Sequence, residues 1–169
     1  LAVDGAVCRT AGLTACAICS AKPPHEHPLN PQLSTAPLRV RYQTIELGTH
    51  DIHLCTLRDR QQFSDPTGLA ASLGICSASW PLFGVVWPSS IYLAQTLLSY
   101  DTRGLRIIEV GCGMALTSLL LNLLHADITA TDYHPEVEQF LIRNTLLNQG
   151  APIPYARVDW AMPETKLGK

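Results

Sequence analysis

A glycine-rich turn between a predicted strand and a predicted helix is the first feature that could bind a ligand. Gly111-Cys112-Gly113 follows the apolar run Ile107–Val110 and precedes a leucine-rich helical pattern. In such a turn backbone N–H groups point outward and a ligand can approach the chain closely. The pattern predicts a nucleotide-like ligand at this turn.

The acidic residue at the end of the strand narrows the choice of ligand. Glu109 would repel a pyrophosphate and attract a cation. The dinucleotide fingerprint also requires glycine at the sixth position counted from Gly111, where Leu116 stands. A nicotinamide-dependent oxidoreductase is therefore disfavoured but stays open. S-adenosylmethionine carries a sulfonium and an ammonium group and no phosphate, which fits an acidic turn better.

Two later strand ends carry further candidate contacts. Asp132 lies 21 positions after Gly111, the distance at which a βαβ unit brings a carboxylate to a ribose diol. Asp159 could accept a hydrogen bond from an exocyclic adenine amine, and the Trp160 ring could cover the base. Three consecutive strand ends are thus predicted to face one crevice.

The elements that must position these residues follow a βαβαβ pattern after a polar start. Residues 39–47 and 52–57 alternate as a β-hairpin around a turn at 48–51, and residues 59–79 read as a loop with at most one helical turn. Helices are predicted from Pro88 to Tyr100, over 116–124, and from Pro135 to near Asn148, with strands at 107–110, 127–131 and 153–158. The fold class predicted is α/β, a Rossmann-like parallel sheet covered by helices, with an N-terminal β-hairpin.

Length and composition exclude several classes of protein. The chain has 169 residues, 47% of them hydrophobic, with 12 Lys and Arg against 14 Asp and Glu. One folded domain over 38–169 is predicted, preceded by a flexible Pro/Ala-rich tail over 1–37, and a basic nucleic-acid binder is excluded. Charged or polar residues interrupt the most apolar stretch, 105–124, so no membrane span is expected.

The cysteines predict a reducing compartment and no metal. All six are scattered through a chain too large to need disulfides, so we expect reduced thiols and a cytoplasmic protein: Cys8, Cys16, Cys19, Cys55, Cys76 and Cys112. Cys16 and Cys19 with His25 and His27 have half the pattern of a zinc site. The spacing of the two histidines does not match a structural site, and a tail is the preferred interpretation.

The order and spacing of these pieces resemble the seven-β-strand, class I methyltransferases, and within them the protein-lysine methyltransferase-like group. The resemblance covers residues 39–165 and is carried by Trp87-Pro-Ser-Ser-Ile-Tyr-Leu-Ala, Glu109-Val-Gly-Cys-Gly-Met-Ala-Leu, Ala130-Thr-Asp-Tyr-His-Pro, Asn144-x-x-x-Asn148 and Val158-Asp-Trp160. It implies an enzyme that uses S-adenosylmethionine to methylate lysine or another nitrogen nucleophile on a protein substrate.

The resemblance also assigns residues to parts of the cofactor. It implies that Glu109, Gly111 and Gly113 line the methionine part, that Asp132 holds the ribose, and that Asp159 and Trp160 hold the adenine. Trp87 resembles the family's tryptophan at the lip of the pocket. Ala115 stands where many relatives have a third glycine, a small change that should still admit the ligand. No residue is assigned a catalytic role.

The family's fourth strand, whose end holds the acceptor nitrogen, would have to follow Trp160. We therefore expect this chain to carry the cofactor-binding half, to be incomplete at the C-terminus, and to be inactive and poorly stable alone. An exposed sheet edge would permit a homodimer. The alternative is a non-catalytic, methyltransferase-like interaction module.

Three other side chains near the motifs have ordinary structural interpretations. We interpret His134 as a helix cap or surface residue rather than a substrate-side base. Cys112 is expected to pack against the strand rather than react with oxidants. Trp80 and Phe83 are expected to cover the edge of the core, with a role in a cofactor lid as the minor alternative.

Overall fold

The computed structural model describes residues 37–162, which form five strands, four α-helices and one 3₁₀ helix. In chain order these are β1 (Val40–Leu47), β2 (His50–Leu57), α1 (Leu69–Ser72), the 3₁₀ helix (Trp80–Gly84), α2 (Pro88–Leu97), β3 (Arg106–Val110), α3 (Leu116–Leu123), β4 (Asp127–Asp132), α4 (Val137–Leu147) and β5 (Tyr155–Arg157). The predicted tail and its Cys16, Cys19, His25 and His27 lie outside the described residues.

The β-hairpin predicted at the start of the domain is confirmed. β1 and β2 pair antiparallel from Val40 opposite Leu57 to Leu47 opposite His50, so the turn is only Gly48-Thr49. Gly48 has φ +61°, a conformation that a two-residue hairpin turn requires and that glycine adopts without strain. The turn is therefore two residues shorter than the sequence indicated.

The second sheet is parallel, with its strands in the order β3-β4-β5. α3 connects β3 to β4, and α4 connects β4 to β5. The mixed α/β class and the helix-connected parallel sheet are confirmed, and the arrangement is compatible with a Rossmann-like fold. Because the strands are parallel, their carboxyl ends lie at one edge of the sheet.

Proline chemistry accounts for one of the differences at element ends. The predicted strand over 153–158 shortens to Tyr155–Arg157, since Pro154 has no N–H for a ladder. Its carbonyl still accepts from the Ala130 N–H at 2.9 Å. α4 begins at Val137, two positions after Pro135, and α2 ends at Leu97 rather than Tyr100.

Two asparagines of α4 dock the hairpin. β2 pairs with β1 along one edge, and on its other edge the Cys55 N–H donates to Asn144 Oδ1 at 2.7 Å. One turn later on α4, Asn148 accepts from the His53 N–H at 2.8 Å and donates to the His53 carbonyl at 2.7 Å. Side chains spaced i, i+4 on one helix face thus replace a neighbouring strand.

α3 lies at the centre of the apolar core. Leu116, Leu119 and Leu120 are nearly fully buried, as their spacing predicted, and Leu121 is buried as well, whereas Leu123 of the predicted apolar face is exposed. Leu116, Leu119 and Leu120 pack with Leu47, Ile52 and Leu54 of the hairpin. The helix that follows the glycine-rich turn is therefore held in place by both sheets.

One side of β3 is open in the described part of the chain. β3 has β4 as its neighbour, and Ile108 and Val110 are 40% and 56% exposed. This is the exposed apolar edge on which the homodimer prediction rests, and the dimer itself stays a prediction. None of the helices within 37–162 has the length and hydropathy needed to cross a bilayer.

Candidate functional site

Alternating left-handed residues shape the turn that follows β3. Gly111, Gly113 and Ala115 have φ values of +66°, +51° and +57°. This region is open to glycine but costs an L-residue about 1–2 kcal/mol. A Cβ on Gly113 would also lie 3.2 Å from the carbonyl oxygen of Phe83. Backbone conformation and close packing together explain the glycine spacing.

A cleft of about 590 Å³ lies along this turn at the carboxyl ends of the parallel strands. Five of the seven predicted site residues line it: Trp87, Glu109, Gly111, Gly113 and Asp132. Further lining residues come from the 3₁₀ helix and the start of α2, namely Phe83, which the sequence had indicated as a possible lid residue, and Val85, Ser89, Ser90 and Leu93. The strand end, the turn and two helix ends therefore form one site.

Asp132 fastens the turn to the end of β4. Its Oδ2 accepts from the Gly113 N–H at 2.8 Å, and its Oδ1 accepts from the His134 N–H at 2.8 Å. The Cys112 N–H extends the same connection by donating to the Thr131 carbonyl at 2.9 Å. Each carboxylate oxygen has a second lone pair, so Asp132 can still accept from a ligand.

Glu109 joins the end of β3 to the first turn of α3. Its Oε2 accepts from both the N–H and the hydroxyl of Ser118, the third residue of α3. A carboxylate at a helix N-terminus satisfies an N–H that has no partner within the helix. Burial nevertheless raises the pKa of Glu109, and the nearby Asp132 charge acts in the same direction. A cation in the cleft would stabilise the ionised carboxylate.

The charge of the cleft is one-sided. Glu109 and Asp132 are the charged side chains in its lining, and no Lys or Arg from the described part of the chain contributes to it. A pyrophosphate would meet two carboxylates and no compensating cation. The arrangement favours a ligand with cationic groups and hydroxyl donors.

The last two predicted site residues lie near this edge but outside the lining. The Val158 N–H donates to the Asp132 carbonyl at 2.9 Å, which places Asp159 one position beyond the contact. Asp159 Oδ1 accepts from the Ala161 N–H at 2.9 Å, and Trp160 is 50% exposed. Their assignment to an adenine stays a prediction.

Trp87, at the lip of the cleft, and Trp80, in the core, have different environments. Trp87 is 45% exposed at the start of α2, and its Nε1 donates to the Leu82 carbonyl at 3.3 Å. Trp80 is fully buried, as expected of a residue that covers the core. Phe83 belongs to the core and also lines the cleft, and its role in a cofactor lid stays a prediction.

The structure corrects the interpretation of His134 and confirms that of Cys112. His134 is 6% exposed, so it is not a surface residue, although its Nδ1 accepts from the Glu136 N–H at 3.2 Å in a cap-like contact. The reason is that its ring packs between Trp80 and Phe83. Cys112 is buried, and burial raises the pKa of its thiol, which suppresses the reactive thiolate.

Metal binding has no support in residues 37–162, where no three His, Cys, Asp or Glu side chains come together in a way that could hold an ion.

Comparison with known proteins gives one partial likeness to report. The chain is 37% identical over 73 residues to the protein N-lysine methyltransferase METTL21A of Danio rerio, a match that spans 40% of this chain and 33% of that protein. The chain thus matches about a third of the length of this relative. No family model matches the chain. The likeness supports a methyltransferase-like relationship.

Proposed function

We propose that the cleft binds S-adenosylmethionine and that the protein is a methyltransferase acting on lysine or another nitrogen nucleophile of a protein substrate. The observation that carries the proposal is a cleft at the carboxyl ends of parallel strands whose charged lining residues are two acids, beside a glycine-rich turn. The partial likeness to a protein N-lysine methyltransferase supports it independently.

The residues present fit such a ligand by their donor and acceptor chemistry. Glu109 and the turn at Gly111 and Gly113 would face the ammonium and sulfonium end. Asp132 would accept from the ribose hydroxyls through the lone pairs not used by Gly113 and His134. Asp159 and Trp160 would hold the adenine, and Trp87 would stand at the lip.

The chemistry required of the protein is chiefly positioning. The cofactor, when bound, supplies a methyl group on a positively charged sulfur, ready for displacement by a neutral amine. The chain's own residues then have to fix the donor, exclude water and leave one face open to the acceptor, because alignment contributes most of the rate. Phe83, Val85 and Leu93 give the cleft an apolar lining.

We further propose that residues 38–169 form the cofactor-binding part of a class I, seven-strand methyltransferase domain. Along the chain the glycine-rich turn is followed by the strand end at Asp132 and then by Asp159, just after the next strand. This order agrees with the three-stranded parallel sheet. The proposal includes the position of the substrate site, which would lie at the end of the family's fourth strand.

A methyl-transfer assay tests the catalytic half of the proposal. Because we expect this chain to be inactive alone, the assay uses the whole protein in which residues 38–169 would form the cofactor-binding part. It is incubated with S-adenosylmethionine labelled on its methyl group and with a protein extract, in one arm untreated and in the other with its lysines acetylated. Label on the untreated proteins and its loss after acetylation are expected, and a whole protein that binds the cofactor but labels neither extract would contradict the proposed activity.

A control variant outside the cleft shows that a surface substitution alone does not change the transfer rate. Asp101→Ala removes an exposed ion pair with Arg103 in the loop before β3, away from the cleft lining. Its transfer rate should equal that of the wild type, since surface pairs contribute little to stability.

A further inference from the structure

One wall of the cleft is formed by the segment that contains the 3₁₀ helix. Phe83, Val85 and Trp87 of this segment line the cleft. The Phe83 carbonyl approaches Gly113 so closely that a Cβ there would lie 3.2 Å from it. The position of the 3₁₀ helix therefore sets the width of the cleft beside the glycine-rich turn.

His134 holds this wall from behind, without lining the cleft itself. Its ring stacks on the Phe83 ring with centroids 4.1 Å apart and planes at 20°. The Trp80 ring meets it edge-on at 5.4 Å. Its main-chain N–H donates to Asp132 Oδ1, while the other oxygen of that carboxylate holds Gly113. His134 thus connects the end of β4 to the 3₁₀ helix.

The hydrogen bonds fix which ring nitrogen carries the proton. Nδ1 accepts from the Glu136 N–H at 3.2 Å, so the neutral ring has its proton on Nε2. Nε2 is buried and makes no hydrogen bond of normal geometry. The contacts of the ring are therefore chiefly aromatic, with Phe83 stacked on it and Trp80 edge-on.

We propose that His134 is a positioning residue of the cofactor cleft, whose stacked ring holds the Trp80–Gly84 helix against the glycine-rich turn. This inference rests on the proposed function, because it concerns how the same cleft is kept in a binding-ready shape.

Three substitutions of His134 separate the contribution of its aromatic ring from that of its Nε2 donor. His134→Phe keeps an aromatic ring for stacking, His134→Gln keeps a donor near Nε2 without the ring, and His134→Ala keeps neither. In calorimetric titrations of the full chain with S-adenosylhomocysteine, we expect His134→Ala and His134→Gln to weaken binding by about tenfold, the range of an aromatic pair. We expect His134→Phe to stay within about threefold of the wild type.

Hydrogen exchange gives a readout that needs no ligand. In His134→Ala the amides of residues 80–87 should exchange faster than in the wild type, because the helix loses its support. Tyr133→Phe is the matched control. It removes the bond from the Tyr133 hydroxyl to the Leu73 carbonyl at 2.6 Å, on the neighbouring loop, and should leave both the affinity and the exchange of 80–87 unchanged.

The outcomes distinguish this inference from the proposed function. If the wild type binds no S-adenosylhomocysteine, the proposed function fails, and the exchange of 80–87 still decides whether His134 supports the wall. Unchanged exchange and affinity in His134→Ala would overturn the inference. If His134→Ala does not fold, a His134→Phe variant that folds and binds more than tenfold weaker overturns it, and one that binds like the wild type supports it.

Discussion

Asp132 organises the site before any ligand arrives. Its two oxygens hold the N–H groups of Gly113 and His134, so one carboxylate fixes both the glycine-rich turn and the residue behind the wall. The sequence predicted a carboxylate at this strand end from its distance to Gly111. It could not predict the bond to Gly113, because that bond depends on the left-handed conformation of the turn.

Replacing Asp132 should weaken cofactor binding in proportion to the acceptors removed. Asp132→Ala removes both contacts and the proposed ribose acceptor, and should cost about 1.5–3 kcal/mol of binding, the range for hydrogen bonds to a charged group. Asp132→Asn keeps one acceptor oxygen and should lose less. Titration with S-adenosylhomocysteine measures both. Unchanged affinity in a folded Asp132→Ala variant would show that the residue acts only as a structural cap.

The hairpin and α4 are joined by side-chain hydrogen bonds. Neither the strand pattern of the hairpin nor the helical pattern of α4 indicated this contact. The alternation of residues 39–57 predicted the hairpin, and the helical spacing after Pro135 predicted α4. The contact between them depends on Asn144 and Asn148, which were known only as part of a family resemblance. Their spacing of four positions on a helix was the available signal, since it puts both amides on one face.

The buried Asn144 should contribute more to stability than the half-buried Asn148. Asn144 is fully buried and is the partner of the Cys55 N–H. Asn144→Ala leaves that N–H unsatisfied and should lower the free energy of unfolding by about 1–3 kcal/mol.

Asn148→Ala, whose contacts with His53 are exposed, is the matched comparison and should cost about 0.5–1.5 kcal/mol. Urea unfolding followed by circular dichroism measures both. A cost for Asn144→Ala no greater than that for Asn148→Ala would contradict the view that α4 replaces a neighbouring strand for β2.

The sequence patterns allowed the single helical turn that α1 forms but missed the 3₁₀ helix. The 3₁₀ helix has five residues, too few for an apolar repeat to appear. The position of the 3₁₀ helix depends instead on Gly84, where a Cβ would lie 2.3 Å from the Leu57 side chain. Tertiary contact, which no local pattern encodes, places this wall of the cleft.

For the molecule as a whole, protonation of His134 makes stability depend on pH. Burial lowers the pKa of His134 from 6.5 to about 4, against the opposing effect of the Asp132 and Asp65 charges. Between these values the unfolded chain binds a proton that the folded chain does not, so stability falls as the pH falls. Burial raises the pKa of Glu109 and Glu136, which acts in the opposite direction over their own range.

A comparison of variants isolates the histidine contribution. The melting temperature of the wild type should fall between pH 6.5 and pH 4 more steeply than that of His134→Phe, because the variant lacks the titrating ring while Glu109 and Glu136 are unchanged. Thermal unfolding followed across this range checks the difference. Parallel curves for the two proteins would show that His134 is not neutral and buried in the folded state.

The charge of the cleft is the property on which the proposed function depends. Two half-buried acids without a basic neighbour in the described lining should select a cationic adenosyl ligand over a dinucleotide. Calorimetric titration of the full chain with S-adenosylmethionine, S-adenosylhomocysteine and NAD measures this selection. We expect saturable binding of both adenosyl ligands and no binding of NAD. Binding of NAD with no response to either adenosyl ligand, in a protein shown to be folded, would contradict it.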